Sequence, residues 1–304
     1  MNSLHVRIFC YNFTKGFIII LNKLTLQKQF SAFCKKNNPK DMEIAVEYFA
    51  VFGGLDVKVD TTKPLVELIE KHILKEYKHL RNLVSDITTG DALLHSILSA
   101  SVLGDRRTNS SFKRLRISFD DGMDCVEKFR DLGTIKLERT VGDSYVSDKI
   151  LLATPFLRFW FAFISPVFKG IRDGNFEEFH TNYENRKAQF ADFVFDQLSH
   201  EFIKQSFSED KIYNIGRYWD DERDIDLVAK TKSGKVIVGS CKYTNSKMKK
   251  SELTKLKENC ESGEIKPDIY VLFAKKGYSS ELKSLKSDTL LLFTCRNFKI
   301  LIED

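Results

Sequence analysis

Residues 224–243 read DIDLVAKTKSGKVIVGSCKY. Two runs rich in β-branched residues, 225–231 and 235–242, flank Ser233-Gly234. Glycine reaches the positive φ of a tight turn without steric cost, so the pattern predicts a β-hairpin. Asp226 falls on the first strand and Lys242 at the end of the second. Side chains alternate along a strand, so Ser240 and Lys242 share a face and Cys241 points into the opposite layer. Cys241 is a poor nucleophile candidate, because no histidine lies near it in sequence.

Outward from the hairpin, helix and strand alternate. Phe190, Phe193, Val194, Leu198 and Phe202 recur at helical spacing and predict a helix over 186–205. A strand is expected over 211–218, ahead of the hairpin. A charged helix over 249–261 follows it. Residues 267–274 (PDIYVLFA) read as a buried strand, 279–287 as a helix and 289–293 as a short last strand. The order is α-β-β-β-α-β-α-β.

That order, with an acid on the second strand and Ser240-Cys241-Lys242 on the third, resembles the PD-(D/E)XK nuclease superfamily. The superfamily carries E-x-K or D-x-K where this chain has Ser-Cys-Lys. Asp224-Ile-Asp226-Leu-Val with Gly239-Ser-Cys-Lys-Tyr243 is also similar to the C-terminal region of the archaeal-type ATPase family. Pro155-Phe-Leu-Arg-Phe-Trp160, Val194-Phe-Asp196 and Tyr48-Phe-Ala-Val-Phe-Gly-Gly54 resemble further landmarks of that family, so the likeness runs from about residue 40 to 304. No G-x-x-x-x-G-K-[ST] occurs, so neither the ATPase module nor an ATP cofactor is carried over.

The resemblance implies a catalytic set of Asp226, Lys242 and Asp196, with Glu201 an alternative helical acid. Asp226 and Asp196 would hold Mg²⁺ or Mn²⁺, and Lys242 would steady the attacking water or the scissile phosphate. Ser240 stands at the usual carboxylate position, and a neutral hydroxyl is a weak ligand. Asp224, Glu222 or Asp196 could supply the missing carboxylate. The plainer readings are a charged strand end beside Asp220-Asp-Glu-Arg-Asp224 for Asp226, and a solvated lysine for Lys242. Two functions are therefore expected: a metal-dependent DNA nuclease with a partly degenerate site, or an inactive nuclease-fold module that binds DNA or docks a protein, a separately encoded ATPase among the partners. A homo-oligomer is also open.

The first half is helical. Asp41 is placed to cap a helix that Gly53-Gly54 ends, and Leu65, Leu68, Ile69 and Ile73 share a face of the next. Between residues 91 and 145 the pattern gives three helices and then a strand pair, the order of a winged helix-turn-helix. Its third helix offers Asp120, Asp121, Asp124 and Glu127, an acidic face that phosphates repel. The candidate nucleic-acid contacts are therefore Arg106, Arg107, Lys113 and Arg114, with Lys249 and Lys250 beside the nuclease-like sheet. Phe156, Phe159, Trp160, Phe161, Phe163 and Phe168 crowd one segment, as in a helix buried between two domains.

The expected fold is therefore α+β and multidomain. It has a tail of uncertain order (1–35), a helical, winged-helix-like region (36–150), aromatic-rich connecting helices (151–185) and a PD-(D/E)XK-like α/β domain with a mixed sheet (186–304). The chain of 304 residues carries 42% hydrophobic and 30% charged residues and a formal charge of +6. That composition is globular and permits, without requiring, a polyanionic partner. Six scattered cysteines with no CxxC pair disfavour a zinc site or disulfide framework and point to a cytoplasmic setting. The longest apolar stretch is shorter than a span and contains Arg158, so no membrane partner is expected.

Overall fold

A computed structural model describes residues 24–142 and 146–303. The architecture is mixed α+β, with a helical N-terminal part and a C-terminal five-stranded mixed sheet. Of the segment 1–35, residues 1–23 lie outside the described residues, and Leu26–Asn37 forms helix α1. Its Phe30 is fully buried and meets Phe49 edge-on, with ring centroids 5.1 Å apart. Helix α2 (Met42–Phe52) starts where Asp41 accepts from the Ile44 N–H. Gly53 and Gly54 end it, Gly54 at φ +92°. Helix α3 (Leu65–Ile69) runs into a π-helical turn, Glu70–Leu74, and α4 (Tyr77–Ile87) follows.

Helices α5 (Ala92–Val102), α6 (Thr108–Leu115) and α7 (Phe119–Asp131) precede a two-stranded antiparallel ribbon, β1 (Ile135–Glu138) and β2 (Lys149–Leu152). Asp91 caps α5 and Ser118 caps α7, each accepting an N–H of the first turn. Helix α8 (Pro155–Phe159), a π-helical turn (Trp160–Ile164), a 3₁₀ turn (Ser165–Val167) and α9 (Phe168–Arg172) carry the aromatic run. Phe159 and Phe163 pack on Tyr183 and Phe190 of the long helix that follows, with centroids 5.1–6.1 Å apart. Burying rings of this size stabilises by about 1.5–3 kcal/mol each.

Helix α10 spans Glu177–Ser206, so it begins nine residues before the sequence periodicity places it, and the 185/186 division falls inside it. Its first turns are charged on the outside, which hides their one buried stripe, Phe179 and Tyr183. Strands β3 (Ile212–Trp219), β4 (Asp224–Thr231) and β5 (Val236–Lys242) form an antiparallel meander. Helix α11 (Lys250–Ser262) leads to β6 (Ile269–Ala274), α12 (Ser280–Ser284) and β7 (Leu290–Thr294), with β6 and β7 parallel to β5. The spatial order is β3-β4-β5-β6-β7. A final 3₁₀ turn, Cys295–Leu301, brings Phe298 against Phe195 of α10, a contact the sequence reading lacks.

One face of the sheet joins the large core that also holds α1, α2 and α8. The other face packs Val228, Val238 and Leu272 against Leu253 and Leu256 of α11. The ribbon's connecting segment covers the edge strand: Val141 N–H donates to Arg217 O at 2.8 Å, and Thr140 bonds the Trp219 backbone. Exposed strand edges invite unwanted pairing, and this contact blocks one. It also explains Gly216, where a Cβ would stand 2.7 Å from Val141 Cγ2. Among the described residues, no helix is long and apolar enough to cross a membrane.

Candidate functional site

A bulge in β4 shapes the site. Gly216 pairs with Val228 and Tyr218 with Ile225, so Asp226 and Leu227 together oppose the single Arg217. An extra residue re-aims the side chains around it. The Asp226 carboxylate is filled on both oxygens. Oδ1 accepts from Arg217 Nη2 at 2.9 Å, and Oδ2 accepts from the Cys241 N–H at 2.9 Å and the Ser240 hydroxyl at 3.2 Å.

Asp196 reaches the same place from α10 and is 4% exposed. Arg217 Nη1 donates to its Oδ2, and His200 Nε2 lies 3.5 Å from its Oδ1. Arg217 also lies 3.4 Å from Asp224, whose other oxygen accepts from Lys149 Nζ at 3.0 Å. One guanidinium thus joins three carboxylates. Burial opposes its charge, but Asp196, Asp226 and Asp224 hold its pKa above the ordinary value.

The carboxylates respond unequally. Burial pushes Asp196 upward, but Arg217, His200 and Arg106 outweigh it and hold its carboxyl below the usual value. Burial raises Asp226, Arg217 opposing and nearby Asp196 adding to the rise. Burial would lower His200, but the bond to Asp196 outweighs it and raises the imidazole. Its Nε2 also lies 2.7 Å from Asp226 O. A protonated His200 adds a fourth cation to Arg106, Lys149 and Arg217, against the carboxylates of Glu138, Asp196, Asp224 and Asp226.

The structure brings Asp226, Asp196 and Ser240 together. Lys242 stands at the rim, 39% exposed and 4.0 Å from Glu252 of α11, while Cys241 joins the core on the α10 side. Glu201 pairs with Lys204 instead. Of the expected nucleic-acid contacts, Arg106 turns inward at φ +68°, its guanidinium 4.1 Å above the Phe193 ring. Burial, with Arg217 adding, lowers its pKa to about 10. Arg107 is bound to Asp221 and the Asp220 carbonyl. Lys113, Arg114, Lys249 and Lys250 are exposed, Lys250 pairing with Glu281.

The sequence reading missed Arg217, His200 and Lys149. The available signal was Arg217 itself, a lone cation in a strand of mostly apolar residues, one strand from Asp224 and Asp226. Lys149 carried no signal, because its partner Asp224 lies 75 residues away.

These residues do not fit a divalent metal. Mg²⁺ and Mn²⁺ ask for several free oxygen ligands. Here Ser240 stands where the resemblance would ask for a carboxylate, and the two aspartates already receive guanidinium, amide and hydroxyl donors on every oxygen but Asp196 Oδ1. Among the described residues, no group of three or more His, Cys, Asp or Glu side chains is arranged to hold a metal.

Comparison with known proteins fits this part of the chain. Residues 160–255 match the DUF234 family model, described as archaeal and bacterial proteins of unknown function. That span contains Asp196, Arg217, Asp226, Ser240 and Lys242. The uncharacterized protein MJECL04 of Methanocaldococcus jannaschii is 24% identical over 200 residues, covering 62% of this chain and 45% of that protein. The chain thus spans just under half the length of this relative. No solved structure matches.

Proposed function

We propose that the C-terminal part is a PD-(D/E)XK-type scaffold that has given up cleavage. In this reading it serves, with a winged-helix-like unit, as a module that binds DNA without cutting it. Arg217 carries the proposal. Its guanidinium pairs with Asp196 and Asp226, where a nuclease of this type would hold its metal. A fixed internal cation takes one oxygen of each carboxylate, and the remaining Asp196 Oδ1, without a hydrogen-bond partner, faces His200 at 3.5 Å.

DNA contact would be electrostatic, through exposed Lys113 and Arg114 on α6 and Lys249 and Lys250 at the start of α11. The test pairs a binding and a cleavage assay on single- and double-stranded DNA, with Mg²⁺ or Mn²⁺, beside Asp226→Ala. Salt-dependent binding without cleavage is expected. Cleavage that disappears in Asp226→Ala would restore the nuclease reading.

A second reading, docking of a protein partner, is favoured by α7. Its acidic face is flanked by Phe119 and Leu132, 52% and 53% exposed. Absence of both DNA binding and cleavage would favour it.

A further inference from the structure

Far in sequence from the Arg217 cluster, α4, the start of α5 and the aromatic turns line a half-open cavity of about 220 Å³. Its floor is aromatic: Tyr77 stacks on Trp160 with centroids 5.7 Å apart and planes 3° from parallel. Val84 and Phe168 add apolar wall. Arg81 and Asp91 also line it. Among the described residues neither forms an ion pair, so a cation and a carboxylate share one small cavity without meeting. One Asp91 oxygen accepts the Leu94 N–H and caps α5, while the other has no hydrogen-bond partner among the described residues. On another wall His95 Nε2 lies 2.8 Å from the Ser165 hydroxyl, and the imidazole packs edge-on against Phe161.

We propose that this cavity binds a free α-amino acid with an aromatic or large apolar side chain. Arg81 takes the carboxylate, Asp91 takes the ammonium, and the side chain lies on the Tyr77–Trp160 floor. The His95–Ser165 pair offers a polar contact to a side-chain hydroxyl. Three features select this class. Separated opposite charges suit a zwitterion better than a simple anion, which Asp91 would repel. An aromatic floor rewards a flat or bulky apolar group. Pockets for drug-sized ligands run to roughly 300–1,000 Å³, so this one suits something smaller, of amino-acid size. The inference is independent of the Arg217 site and of any action on DNA.

The test is calorimetric titration of the full chain with L-phenylalanine. Comparison ligands are N-acetyl-L-phenylalanine, which lacks the ammonium, and phenethylamine, which lacks the carboxylate. L-phenylalanine should bind and each analogue should bind at least about tenfold more weakly, as expected for loss of one charge-assisted contact. Arg81→Ala and Asp91→Asn should weaken L-phenylalanine by a similar factor. Arg81 is exposed, and asparagine caps a helix as well as aspartate, so both variants should stay folded. Circular dichroism checks this directly. The proposal is overturned by absence of L-phenylalanine binding at millimolar concentration. It is equally overturned by equal binding of either analogue, or by unchanged binding in folded Arg81→Ala or Asp91→Asn.

Discussion

Two regions of this protein put arginine and aspartate near each other, with opposite results. Beneath the sheet, Arg217 donates to Asp196 and Asp226, and the opposite charges are held in contact. Beside α5, Arg81 and Asp91 line the same cavity and stay apart. The same residue types are consumed in the first place and left open in the second. The difference is burial. Paired, desolvated charges specify how elements fit, whereas charges facing a cavity retain capacity for a ligand.

The largest effect should follow from breaking the closed region. Arg217→Met leaves Asp196 and Asp226 without their shared cation and should cost about 3–5 kcal/mol, read by urea denaturation. Arg217→Met with Asp226→Asn should recover part of that loss. Equal stability of wild type and Arg217→Met would remove the cluster's structural role.

Next in size is the edge contact that brings the ribbon onto β3. Gly216→Ala places a Cβ 2.7 Å from Val141 Cγ2 and should cost about 1–3 kcal/mol. Val141→Ala in the same chain should relieve most of it. No loss in the single variant would mean that the segment around Val141 yields easily.

The cluster should also show in the pH dependence of stability. The His200 pKa is raised by folding, so its contribution is complete below about 6.5 and is lost as pH rises through the folded value. Wild-type stability should therefore fall with rising pH above that point, and His200→Gln should remove this slope. Asp196 works in the opposite direction. Its folded pKa is lowered, so its contribution is present above about 3.9 and is lost as pH falls through the folded value. Denaturation midpoints measured across pH distinguish the two. A wild-type slope that persists in His200→Gln would assign it to another group.

The smallest effect sharpens the contrast from the open side. Asp91→Asn keeps a good N-cap and should change stability by only a few tenths of a kcal/mol, seen as a nearly unchanged melting temperature. A large loss would mean that the Asp91 charge is structural, as in the Arg217 cluster.

The sheet was legible in the sequence because its signals are local. Ser233-Gly234 marks the hairpin, and the apolar run around Tyr270-Val-Leu-Phe273 marks a buried strand. That Ser240 and Lys242 share a face followed from strand alternation, while Asp226 was singled out by the family resemblance. The cluster's closure was not legible, because it depends on partners far apart in the chain. Arg217 meets Asp196 across 21 residues and Lys149 meets Asp224 across 75. Arg106 illustrates the same limit. In sequence it is one of several cations in a basic stretch, and only packing turns it onto Phe193 rather than toward solvent.

The most direct test of the central claim is calorimetric titration of Mn²⁺ into wild-type protein, with Asp226→Asn beside it. If Arg217 fills the cation position, neither protein shows saturable binding at this site and their titrations coincide. Saturable Mn²⁺ binding in the wild type that is lost in Asp226→Asn would contradict the account and show that the carboxylates remain open to a metal.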